Sequence, residues 1–100
     1  MSILFEPINV AGMELPNRFM RSATHDGFST VDGVITDESV AFISDLAKGG
    51  VGLIVVGFAY VTPTGQAVPN QNAIYDDRFV AGMRRVTEAV HSCSDSKIVL

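Results

Sequence analysis

The chain has 100 residues, of which 47 % are hydrophobic, and a net charge of -4 at pH 7. That length and apolar content suit at most one small domain with a core. The acidic balance and the lack of a Lys/Arg cluster argue against a nucleic-acid surface, Arg84 and Arg85 being the only adjacent basic pair. In chain order, the opening MSILFEPINV has no basic flank and breaks at Glu6 and Pro7, so it does not read as a signal peptide. Residues 8–15 alternate around a two-residue loop, with Ile8 and Val10 before Ala11 and Gly12, and Met13 and Leu15 after them. This predicts a small β-hairpin whose turn uses Gly12 at positive φ and whose apolar residues plug one end of a larger core.

A first buried strand is predicted over residues 18–21, around Phe19 and Met20, followed by a polar loop over residues 22–35. Thr36 and Asp37 are N-cap candidates, with Glu38 in the first turn where the helix dipole favours an acid. Val40, Ile43 and Ala47 recur at helical spacing until Gly49 and Gly50 stop the helix, which is predicted over Asp37–Lys48. The run VGLIVV that follows has the length and continuous apolarity of a parallel strand buried on both faces. Its extension to Val61 is too short for a membrane helix. Strand, helix and strand together predict a βαβ unit.

The pattern then repeats. Residues 57–72 form a loop with Pro63, Gly65, Pro69 and a string of amides, Gln66, Asn70, Gln71 and Asn72. Asp76 and Asp77 cap a second helix, predicted over residues 78–92, whose inner stripe is Phe79, Met83, Val86 and Val90 at spacings of four, three and four. Lys97, Ile98, Val99 and Leu100 begin a third strand. The expectation is three parallel, adjacent strands in chain order, forming one partial domain over residues 1–100.

Few residues carry chemistry by motif. No helix-opening GxGxxG or GxxxxGK[ST] occurs, and Ser22 lacks a GxSxG elbow. His25 and Asp26 are adjacent but would point oppositely in extended chain, so they do not define a metal or acid–base pair. His91 and Cys93 sit at the end of the second helix, where a surface role explains them. Cys93 is the sole cysteine, which excludes an internal disulfide and fits a reducing, cytoplasmic setting. Position singles out what remains. Ser22, Ala23, Thr24 and His25, and then Gly57, Phe58, Ala59 and Tyr60, follow the carboxyl ends of parallel strands, where such sheets place their sites. Small residues there let the main chain approach a flat ligand, and Ser22, Thr24 and His25 can hydrogen-bond its polar edge. A planar heteroaromatic cofactor fits, as does a sugar or a phosphate.

The order of motifs adds a resemblance. LFEPINVAGMELPNRFMRSAT, then VDGVIT before a helix, then LAKGGVGLIVVGFAYVTPTGQA and IYDDRF, resembles the N-terminal region of the old yellow enzyme family across essentially the whole chain. The resemblance implies an α/β fold, the N-terminal part of a (β/α)8 TIM barrel with an N-terminal β-hairpin, reaching the start of strand 3. It implies an FMN-dependent oxidoreductase that carries hydride from NAD(P)H through flavin to an activated alkene or similar small-molecule substrate. Carried over residue by residue, Arg21, Ser22, Ala23, Thr24 and His25 would lie against the flavin, with Gly57 and Phe58 contacting it after the second strand. Many members have proline where this chain has Ala23. His25 would stand where members place a threonine or cysteine on the flavin O4, and an imidazole there is a departure. No catalytic residue is assigned within the chain. No nucleic-acid, membrane or metal role is implied, and a homo-oligomer is compatible with the family. Two rivals stand beside this reading: an inert or interaction-only segment that pairs with a second chain, and a βα-barrel enzyme without flavin.

Overall fold

The computed structural model describes residues 2–100. A single 3-10 turn, Ile3–Phe5, leads into a hairpin of β1 (Ile8–Val10) and β2 (Met13–Leu15), paired antiparallel. Its two-residue turn places Ala11 at φ 51 and Gly12 at φ 92, a left-handed pair that glycine tolerates and alanine adopts at a cost. Leu15 is buried and Ile8 and Met13 are half-buried, but Val10 is exposed and none of the four belongs to either core cluster, so the hairpin does not plug the core as its alternation suggests.

The organising sheet has three strands in the order β3 (Met20–Arg21), β4 (Leu53–Val55) and β7 (Lys97–Val99). All are parallel, with Met20 opposite Leu53 and Ile54 opposite Ile98. The order is the one the repeated pattern predicts. Helix α1 spans Asp37–Lys48, its predicted bounds. Thr36 accepts from the Ser39 N–H while the Ser39 hydroxyl accepts from the Thr36 N–H, a capping box that satisfies two donors the helix start leaves open. The second helix begins later than predicted. Asp76 caps a 3-10 turn, Asp77–Phe79, and α2 follows at Val80–Cys93.

Both helices cover one face of the sheet. Ile54 is wholly enclosed against Ile43, Ala47, Val86 and Val90, with Ile35 closing the cluster. Gly82 makes that closure possible, since a Cβ there would lie 2.8 Å from the Ile35 Cβ. The opposite face corrects the expectation of strands buried on both sides. Leu53 and Val55 are half-buried, and Met20, opposite Leu53, is 60 % exposed, because no layer among the described residues covers that side. Between β4 and α2 lies a pairing the sequence did not reveal: β5 (Ala59–Tyr60) and β6 (Asn72–Ala73) run parallel. Two residues per strand leave no periodicity to read.

Candidate functional site

Parallel β3 and β4 end on the same side of the sheet, so the residues that follow them leave from one rim. The two segments touch through Gly57, which is buried: a Cβ on it would lie 2.4 Å from the Thr24 carbonyl oxygen and 3.8 Å from the His25 Cα. Only glycine permits that approach. The next residue completes the contact, for the Phe58 ring meets the His25 imidazole edge-on at 5.6 Å between centroids and 85° between planes. The imidazole folds back along its own loop, with Nε2 3.7 Å from where a Gly27 Cβ would stand. Thr24, His25, Gly57 and Phe58 thus form one cluster.

Ser22 joins this cluster through Thr24, whose hydroxyl donates to the Ser22 carbonyl at 3.0 Å. Ser22, Ala23, Thr24, His25 and Phe58 are all exposed. The main-chain N–H groups of Ala23, Thr24 and His25 make no backbone hydrogen bond among the described residues. The rim therefore presents free donors, an imidazole and one aromatic face beside a stretch of close-set main chain. Asp26 does not share this site with His25: its carboxylate accepts from the Phe28 N–H at 3.0 Å and closes a local turn.

Below the rim, Arg21 lays its guanidinium over the Phe42 ring at 5.2 Å, and Phe42 packs on Phe28 at 5.3 Å. This stack ties the base of the first loop to α1. Side-chain amides tie the first loop to the second. Asn70 donates to the Ser29 carbonyl at 2.7 Å, Gln66 to the Val31 carbonyl at 2.7 Å, and Asn72 lies between Ser29 and Gly57. Tyr60 adds a further tie, its hydroxyl donating to the Asp32 carbonyl at 2.9 Å. Burial holds the Tyr60 phenol above its ordinary pKa, with smaller contributions from Tyr75 and Asp32 that Arg78 partly opposes. The string of amides is visible in the sequence, but only contacts 35 to 43 residues apart in the chain give it a role.

His91 and Cys93 lie at the end of α2 that leads into the amino end of β7, away from the rim. Among the described residues no group of three or more His, Cys, Asp or Glu side chains could hold a metal ion. A hollow of about 290 Å³ between Ile74, Phe79 and Met83 shares no residue with the rim.

Two parallel βα units thus bring their first loops together over a glycine, with polar groups left open at the carboxyl ends of the strands, the edge where parallel α/β proteins place their sites. The family follows from comparison. Residues 3–100 match the NADH:flavin oxidoreductase / NADH oxidase family, and the chain belongs to it. It is 39 % identical over 99 residues to a metal reductase of Desulforamulus reducens, an alignment that takes in 99 % of this chain and 14 % of that protein. It is 30 % identical to the probable NADH-dependent flavin oxidoreductase YqiG of Bacillus subtilis, across 96 % of this chain and 26 % of the relative. The fold superposes on the crystal structure of an Old Yellow Enzyme from a Pichia species with a TM-score of 0.87 and 32 % identity, covering 96 % of this chain and 25 % of that one. The chain thus spans about a quarter or less of these proteins' lengths.

Proposed function

We propose that the chain supplies the first two βα units of an FMN site in an NAD(P)H-dependent flavin oxidoreductase, within a (β/α)8 barrel. The observation that carries this reading is the rim at Gly57. There the main chain after β3 and the main chain after β4 come close enough to form one wall, with the N–H groups of Ala23, Thr24 and His25 open along it. Such a wall suits an isoalloxazine ring: Ala23 and Gly57 admit its plane, and open N–H groups, the Thr24 hydroxyl and the His25 imidazole can meet its polar edge.

The chemistry that FMN supplies when bound is transfer of a hydride from NAD(P)H to an activated alkene or similar acceptor. This chain's part is to bind and orient. The Thr24 hydroxyl already donates to the Ser22 carbonyl, which leaves the Ser22 hydroxyl and the His25 imidazole as side-chain donors at the rim with no hydrogen-bond partner among the described residues. Phe58 covers one side of that imidazole and restricts water there. Arg21, Asn70 and Asn72 hold the loops from beneath.

Titration of the purified protein with FMN tests the reading. Binding should shift the visible flavin bands and quench the flavin fluorescence, and Gly57→Val should abolish both by forcing the two loops apart. Unchanged spectra at saturating FMN, or turnover that needs a metal and no flavin, would overturn it.

A further inference from the structure

Asn72 stands apart among the loop amides because it is enclosed, 5 % exposed, and because both ends of its amide are in use. Its Oδ1 accepts from the Ser29 hydroxyl at 2.5 Å, and its Nδ2 donates to the Gly57 carbonyl at 3.2 Å. The orientation follows from chemistry: a carbonyl can only accept, so the nitrogen end must face Gly57, and the hydroxyl then donates to the oxygen end. Ser29 is itself 3 % exposed, so neither partner can be exchanged for water at small cost. The amide therefore links an anchored point of the first loop to the main chain of Gly57, the residue that presses against Thr24 and carries Phe58 onto His25.

We infer that Asn72 is a positioning residue for the rim: through the Gly57 carbonyl it sets where Phe58 stands and so how the His25 imidazole is aimed. β6 supplies the leverage. Asn72 is paired in register with Ala59, so its backbone is fixed by the same short ladder that continues from Phe58. A main chain held from β4 on one side and by this ladder on the other has little freedom left, and the Asn72 amide removes what remains at Gly57. Ser29 is in turn followed by Thr30, whose hydroxyl and N–H bond Val34, so the anchor belongs to a braced turn. The expected effect on the flavin rests on the function proposed above, whereas the effect on His25 does not.

The test uses Asn72→Asp, which keeps the shape and loses the donor, and Asn72→Ser, which loses the amide with less charge disturbance. In the whole protein, the proton NMR cross-peaks between the His25 and Phe58 rings should vanish or weaken several-fold in each variant. FMN affinity should fall about tenfold, the worth of one ordinary hydrogen bond, while the cooperative melt persists. Full-strength cross-peaks in folded variants would overturn the proposal. So would a failure of both variants to fold, because that marks a structural role alone. If the unmodified protein binds no FMN, the flavin reading falls and the ring cross-peaks still decide the role of Asn72.

Discussion

Under the proposed function, His25 is the residue whose side chain bears most directly on the flavin. Its imidazole is exposed, packed edge-on against Phe58, and free of side-chain partners among the described residues. Under the proposed function it donates to the polar edge of the flavin, where negative charge gathers on reduction. Replacing His25 with Ala should then lower the flavin potential by some tens of millivolts, about 30 mV for each ~1.4 kcal/mol of lost stabilisation. A redox titration checks this. An unchanged potential in His25→Ala, with a fall in Thr24→Val, would assign the contact to the Thr24 hydroxyl. Gly33 tests the residue scale differently. It sits at φ +89 with the Ala73 N 2.7 Å from its missing Cβ. Gly33→Ala should cost about 1–3 kcal/mol from left-handed strain and backbone contact together, read as a lower denaturant midpoint.

At the scale of elements, β4 carries the fold. The strand reads in the sequence as buried throughout, but the structure divides it: Ile54 is 0 % exposed and faces both helices, while Leu53 and Val55 face the uncovered side. Ile54→Asp should therefore destabilise by about 3–5 kcal/mol, because a carboxylate there has no partner and must be desolvated or protonated. Val55→Asp should cost less in the chain as it stands. Thermal melts of the two variants compare the faces directly. The start of α1 contributes less. Thr36→Ala removes the capping box and should cost about 1 kcal/mol. The Arg85–Asp37 ion pair joins α1 and α2, but Asp37 is 95 % exposed, so its removal should leave the melt unchanged.

The whole molecule is long for its size, 47 × 23 × 21 Å, with a radius of gyration of 14.1 Å. A compact chain of this length would have about 13 Å. The elongation has a visible cause. Among the described residues, one face of the sheet and the outer edges of β3 and β7 are open, and Met20, Val99 and Leu100 are exposed there. Unpaired edges beside apolar side chains favour association. The 100-residue chain by itself should therefore self-associate, and sedimentation showing a monodisperse monomer would refute this. Tyr60 sets an alkaline limit. Its phenol ionises less readily folded than unfolded, so its contribution is fully present below the unfolded pKa of about 10. Stability should fall as pH rises from there through the higher folded value. Tyr60→Phe should flatten that arm of the melting-temperature profile.

Local signals in the sequence determined the elements that local forces make. The Thr36 cap, the stripe of Val40, Ile43 and Ala47, and the Gly49–Gly50 stop bound α1 to the residue, because capping and helical periodicity act within one or two turns. The apolar runs likewise placed β4 and β7, and their parallel order follows from helices too long to be hairpin loops. Only the tertiary structure decided the rest. That Gly57 touches Thr24, that Phe58 backs His25, and that Asn72 joins Ser29 to Gly57 are contacts between residues far apart in the chain. No periodicity records them, since they arise where two loops converge after the sheet has set their ends. The exposed face of Met20 and Val99 was equally illegible: an apolar side chain reports what it can bury against, and only the packed molecule shows whether anything stands there.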